Sequence, residues 1–385
     1  MKLIKSIGSQ NVSIIVFATL LNFYYVIPQS YGIIVNAVIL LLSIKDMKGT
    51  QNIQNTLPIR WLGFVCIYLF SLGVIYNDKL TYAIATTNVL VVIFTLSILL
   101  NSKEKITLFI KATTISGIVL GIFLIKKYAV YIGFGRFGQE LPGTRIFSPI
   151  TLGYIFMYIS CLQIYDIFNT RNKLYKILMA LAIILSLYII LLTGTRKSLM
   201  LPVLLLFVSI VIKFKDKFFK LLIISVISFA TLLQSIEYIK ETEIINKKHI
   251  ERWEGVMSFA NDNYEIDDSS LERLRLIENA KTIFYLNPLF GIGIDDTIRK
   301  IGTHPHNNYL TLLVFGGLTL MLLYYSIYIP IIRNWKTYYK LDPYLFFIVI
   351  VIIPISDLGT TSFNIFYFST LITLLLLQRK KNTRL

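Results

Sequence analysis

Residues Leu271–Leu318 read LERLRLIENAKTIFYLNPLFGIGIDDTIRKIGTHPHNNYLTLLVFGGL. The stretch has four parts: an arginine-bearing helical pattern, a Pro-Leu-Phe-Gly-Ile-Gly turn, a short polar connection, and His306-Asn307 at the mouth of an apolar run. It stands out because nearly everything else in the chain is apolar. Any chemistry must sit in this stretch or on the few other polar groups that share its side of the molecule.

Working outward, the 385 residues are 55% hydrophobic and only 15% charged, against about 25% charged in soluble domains. Mean hydropathy is +0.68. The apolar residues come in runs of roughly 15 to 22, the length that crosses a bilayer. The expected fold is an all-α integral membrane protein. It is a polytopic bundle of about 12 transmembrane helices, with one long extracytoplasmic loop containing short helices. The spans read as 11–28, 30–44, 61–76, 80–100, 106–125, 149–168, 177–192, 198–212, 221–235, 306–329, 343–355 and 364–377. The chain is expected to form a single polytopic domain over 1–385, with the long loop at 236–305 inside it. Helical stretches are expected in that loop near Trp253–Phe259 and Leu271–Tyr285.

The net charge of +17 sits in short clusters between apolar runs, which is a topology signal and not a nucleic-acid footprint. The N-terminus, the C-terminus and the loops after the even-numbered spans hold about 21 Lys and Arg; the opposite short loops hold about 7. Both termini are therefore expected in the cytoplasm of a plasma-membrane protein. The loop bearing Arg136 and Arg145, the Thr193-Gly194-Thr195-Arg196-Lys197 turn and the long loop then share the outer face. The two cysteines, Cys66 and Cys161, lie inside apolar runs, so neither a disulfide framework nor a metal spacing is expected.

His306 lies where the chain returns to the membrane from outside, and an imidazole there suits a general base near neutral pH. The bland alternative is a helix-start residue packed at the interface. His304-Pro305-His306 lacks an evident third metal ligand. Arg196 reads as a snorkelling anchor or as a guanidinium fork for phosphate, with Thr193 and Thr195 as added hydroxyl donors. Arg273 and Arg275 diverge by about 200° on a helix. Arg273 falls with Ile277, Ala280 and Phe284 on an apolar face, so it is preferred as the functional one; Arg275 remains the alternative. Gly291 and Gly293 read as turn glycines, because Asp296 occupies the third glycine position of a dinucleotide fingerprint and no strand precedes it. Asp295-Asp296 reads as an acid or a polar cap.

The ordered set of Arg273, Pro288-Leu-Phe-Gly-Ile-Gly293, His306-Asn307-x-Tyr309-Leu310 and Gly316-Gly317-Leu318 resembles the bacterial O-antigen polymerase and O-antigen ligase family. The outward Arg196 in TGTR and the GTRIFSP loop with Arg145 add to the resemblance. Ile277 departs from it, since the family usually has an aromatic about four residues after the arginine. The resemblance implies a glycosyltransferase acting on undecaprenyl-diphosphate-linked glycans at the outer face, with no cofactor and no metal. It implies His306 as the base, Arg196 and Arg273 on the diphosphate, and Arg145, Asn307 and Arg275 near substrate. A chain-length regulator and a flippase are the protein partners it suggests. A surface-polysaccharide polymerase (capsule or O-antigen) is the first expectation. A ligase is the second, and a lipid-linked-oligosaccharide flippase or transporter the third.

Overall fold

The computed structural model describes residues 9–27, 34–35, 37–41, 56–132, 137–138, 141–142, 144, 148–214, 268–358, 363 and 365–378. Every regular element among them is helical. The expected spans at 221–235 and most of 30–44, Arg136, Arg145 and the Trp253–Phe259 stretch lie outside the described residues. The helices used below are α1 (Ser9–Phe23), α2 (Leu57–Ile75), α3 (Thr81–Leu99), α4 (Lys103–Lys127), α5 (Pro149–Asn169), α6 (Lys173–Thr193) and α7 (Arg196–Lys213). They continue with α8 (Asp268–Leu286), α9 (Ile294–Ile301), α10 (Asn308–Tyr325), α11 (Trp335–Leu341), α12 (Pro343–Asp357) and α13 (Phe366–Gln378).

Six described helical stretches are long and apolar enough to cross a membrane: α2 to α6, and α10 with its continuation to Arg333. α1, α12 and α13 are apolar but shorter. Helix ends follow ordinary capping chemistry. Asn172 accepts from the Tyr175 N–H at 3.1 Å, Ser148 from Ile150 N–H at 3.2 Å, and Asp342 from Leu345 N–H at 3.0 Å. Each satisfies an orphan donor of a first turn.

The chain forms two compact units, each drawn from separated segments. One comprises 18–32 and 110–265, the other 1–17, 33–109 and 266–385. In the first, α5 is buried on every side from Leu152 to Ile164 and packs on α6 and α7. Gly153 is required there, because a Cβ would overlap the side chain of Thr195, the residue before α7. In the second unit α2, α3 and α13 pack together, and α8 and α10 pack on one another. The Trp61 indole N–H donates to the Tyr324 carbonyl at 2.8 Å and ties the start of α2 to the end of α10.

α10 departs from the expectation of one straight helix from His306 to Ile329. It begins at Asn308, and Gly317 breaks it with φ 67° and ψ −166°. The two arms fold toward one another. The Asn308 side chain donates to the Tyr325 hydroxyl at 3.0 Å, and the Tyr309 and Tyr325 rings stack at 4.9 Å. Seventeen residues of straight helix would separate these positions by about 25 Å, beyond the reach of any side-chain pair. The apolar stretch 308–333 is therefore a bent element and not a straight crossing.

Candidate active site

The break in α10 explains the Pro-Leu-Phe-Gly-Ile-Gly turn. Interrupting a helix orphans carbonyls before the break and N–H groups after it. Residues 288–293 supply the partners. The N–H groups of Ile292 and Gly293 donate to the carbonyls of Val314 and Phe315 at 3.0 and 3.1 Å. The N–H groups of Leu318 and Thr319 donate to the carbonyls of Pro288 and Leu289 at 2.8 and 3.3 Å. A Cβ at Gly291 would lie 2.5 Å from the Val314 carbonyl oxygen, and one at Gly317 would overlap the Leu289 backbone. The two glycine motifs, 25 residues apart in sequence, are thus one interlocked device. Reading Gly291 and Gly293 as turn glycines fits it.

Side chains of α2 and the turn after it hold this device in place. The hydroxyls of Tyr68 and Tyr76 donate to the carbonyls of Gly316 (3.0 Å) and Gly291 (3.2 Å). Asp78 accepts from the Ile294 N–H and caps α9, while Asp295 accepts from the Lys79 N–H at 3.0 Å. Burial raises the Asp78 carboxyl above the usual range; the two backbone donors oppose this, and the Asp295 and Asp296 charges add to it. Asp296 pairs with Arg299 at 2.9 Å in the open. Asp78 is not among the residues expected from the sequence; its signal there is its place in the polar Asn77-Asp78-Lys79 stretch between the spans 61–76 and 80–100. Helix α9 was also missed; 294–301 read as a polar connection.

From α9 the chain runs through Gly302 to the His306 corner. His306 has φ 52°, a left-handed conformation that a histidine adopts at some cost and that clusters at functional sites. Asn307 is the N-cap of α10: its side-chain oxygen accepts from the Leu310 N–H at 3.1 Å, and its amide donates to the Leu358 carbonyl at 3.2 Å. Asn308, fully buried, donates toward Asp357 at 3.4 Å and accepts from the Phe363 N–H at 3.2 Å. The Tyr309 hydroxyl donates to the Pro354 carbonyl at 3.2 Å. Three consecutive residues thus pin the corner to the end of α12 and the segment after it. The Asn308–Tyr325–Asp357 cluster was not foreseen as part of the site. Its only sequence signal was an acid at the end of an apolar run.

The His306 ring is half-buried and lies 4.3 Å from the His304 ring. Burial lowers its pKa first, the Arg273 charge lowers it further, and Glu272 acts in the opposite sense. Burial, then His306, pushes His304 down to about 4. Both imidazoles are thus biased toward the neutral form, His306 by burial and by the Arg273 charge. Arg273 reaches His306 through its field. The structure shows it exposed, however, so the expectation that it lies on a packing face is corrected: the buried line of α8 is Leu276, Ala280 and Ile283. Arg275 is exposed beside Asn279 and Thr282, as its angular position required. Among the described residues, no three His, Cys, Asp or Glu side chains gather as a ligand set.

Residues 181–325 match the family model described as O-Antigen ligase. The matched region runs from within α6 through α7, α8, the glycine turn and the His306 corner to the end of α10. It contains Arg196, Arg273, Arg275, His306 and Asn307 and leaves out Arg145. It covers well under half of the chain and supports an O-antigen ligase/polymerase-like family. Together with the apolar helices it marks an integral membrane protein. No curated protein matches the chain.

Arg196 is the first residue of α7, in the other compact unit. Gly194, left-handed at φ 63°, ends α6, and Arg196 follows two residues later. Thr193 and Thr195 are buried and bond to one another at 2.6 Å, with Thr193 also donating to the Ile190 carbonyl at 2.7 Å. The expectation that they offer hydroxyls to a ligand is therefore corrected: they close the turn. The half-buried Arg196 is the group this turn presents.

Proposed function

We propose that the protein polymerises a surface polysaccharide of the capsule or O-antigen type. Its donor is an undecaprenyl-diphosphate-linked oligosaccharide at the outer face of the plasma membrane. An acceptor sugar hydroxyl attacks the donor's anomeric carbon. The bond from that carbon to the diphosphate oxygen breaks, and its electron pair leaves with the lipid diphosphate. His306 takes the hydroxyl proton on a ring nitrogen. Arg196 and Arg273 stabilise the charge gathering on the diphosphate, the electrostatic task a metal performs in other transferases. Arg145 and Arg275 line the path of substrate, and Asn307 fixes the corner that aims His306. Direct displacement inverts the anomeric centre. A chain-length regulator and a flippase are the expected protein partners.

One observation carries this reading: a half-buried imidazole, held neutral, sits at a strained corner within the field of Arg273. A base must be unprotonated to act, and burial first, then the Arg273 charge, favour that form. The test is His306→Ala in cells making the polysaccharide, with membrane levels checked and glycan length read on a gel. Loss of long chains, with single lipid-linked repeats accumulating at the outer face, supports polymerisation. Full-length polymer stranded on its lipid carrier assigns a ligase instead, and repeats trapped on the cytoplasmic side assign a flippase.

A further inference from the structure

His304 touches the proposed base, yet the mechanism above gives it no task. The stretch Thr303-His304-Pro305-His306-Asn307 sets two imidazoles around a proline. Proline fixes its own φ at about −65° and biases the residue before it toward extended backbone. In extended backbone, residues two apart point to the same side. Pro305 is buried, and His304 and His306 are half-buried on either side of it. Their ring centroids lie 4.3 Å apart with the planes tilted by 57°. Rings that close are in van der Waals contact. The bonds of Asn307, Asn308 and Tyr309 fix the backbone beyond His306; the His304 ring bears on the imidazole itself.

A neighbouring histidine can act as a wall or as a second stop for the proton. Burial, then the His306 charge, push His304 down to about 4. It therefore stays neutral when His306 takes a proton, and that makes it a wall. The charges acting on His306 come from α8: Arg273 lowers its pKa and Glu272 raises it. The end of α12 meets the corner through the Leu358 carbonyl, and its acid, Asp357, is engaged with Tyr325 and Asn308. Burial is the largest cause of the fall at His306, and a ring in contact with the imidazole supplies part of that burial.

We infer that His304 is a positioning residue: its neutral ring backs the His306 imidazole, shields it from water and sets the direction in which it meets the acceptor hydroxyl. The effect on transfer rests on His306 being the base; the shielding stands without it.

The test reads His306 directly. The chain has three histidines, so the full-length protein, ring-labelled with carbon-13 and purified through a histidine-free tag, gives three signals, assigned by removing one histidine at a time. Each is titrated by NMR in wild type, His304→Ala and His304→Phe. Transfer is measured in liposomes with lipid-linked repeat extracted from cells lacking the protein. In wild type His306 should titrate below 6.5. His304→Ala should return that midpoint toward 6.5 and carry the acid limb of the pH–rate profile up with it. It should lower kcat about 10–10²-fold, as misplacement of a reacting group does, with KM unchanged. His304→Phe keeps a ring that takes no proton, and should keep the wild-type midpoint and most of kcat. His304→Asn, too small to cover the imidazole, replaces the alanine variant if that one folds poorly. A His306 midpoint unmoved by His304→Ala would overturn the inference, and so would a phenylalanine variant that behaves like the alanine one. A midpoint that moves while the limb of transfer stays would support the shielding and overturn His306 as the base instead.

Discussion

The Arg196 turn and the His306 corner both place a charged or titratable side chain at the start of an apolar helix, but by opposite means. The Arg196 turn is closed largely by neighbours in sequence: Gly194 supplies the left-handed residue, Thr193 and Thr195 bond to one another, and the Phe137 N–H adds a distant bond to the Leu192 carbonyl at 3.0 Å. The His306 corner has a local cap, Asn307 on the Leu310 N–H, but draws its other partners from afar. Leu358, Asp357, Phe363 and Pro354 hold Asn307, Asn308 and Tyr309, and no glycine relieves the positive φ of His306 itself. The first turn is shaped mainly by residues within three positions of one another. A base whose position must be fixed draws on elements some fifty residues away in sequence.

Substitutions can break this contrast or sharpen it. The largest expected effect is on chemistry. His306→Ala should lower glycan transfer by about 10²–10⁴-fold, the usual contribution of a positioned acid or base, while leaving membrane levels intact. Next, Arg196→Ala and Arg273→Ala should each cost about 10²–10³-fold, as loss of a charge-stabilising donor does, with a smaller loss for Arg275→Ala, which meets substrate away from the diphosphate. Equal losses at 273 and 275 would erase the distinction that the field on His306 draws between them.

Stability should separate the two regions differently. Gly317→Ala forces a Cβ into the Leu289 backbone at φ 67°. It should cost at least about 1–3 kcal/mol of strain, read as a drop in the detergent-solubilised melting temperature. Thr193→Val removes one buried hydroxyl that bonds both Thr195 and the Ile190 carbonyl and should cost about 1–3 kcal/mol, leaving α6 and α7 in place.

The smallest effect is on pH dependence. Burial and Arg273 lower the His306 pKa below the ordinary 6.5. Activity carried by the neutral ring is therefore full above that value and is lost as pH falls through the depressed one. Arg273→Gln removes one lowering charge, so the acid limb of the pH–rate profile should move to higher pH. A limb that stays put would detach Arg273 from the base.

Much of this was legible in the sequence because it is written in period and composition. The apolar runs gave α2 to α6, and the position of Gly194 gave the α6–α7 turn. The 3.6-residue pattern gave α8 almost to its ends. What escaped notice depends on distant partners. The fold-back of α10 is invisible in its apolar composition; it needs Gly317 in a left-handed conformation and a turn 25 residues upstream to satisfy the broken backbone. Asp78 and Asp357 read as acids near helix ends, because nothing nearby in sequence shows that one caps α9 and the other anchors Asn308 and Tyr325. Arg273 was assigned from helix angle to a buried face. Its position in the first turns of α8 leaves it exposed, and its link to His306 is through space.

The most direct measurement places the purified protein in liposomes with a single-repeat lipid-diphosphate-linked glycan and follows products by mass. Wild type should release lipid diphosphate and yield lipid-linked multimers with inverted anomeric linkages, while His306→Ala leaves the single repeat untouched. Multimers formed equally by His306→Ala, or linkages that retain the donor's configuration, would contradict the account.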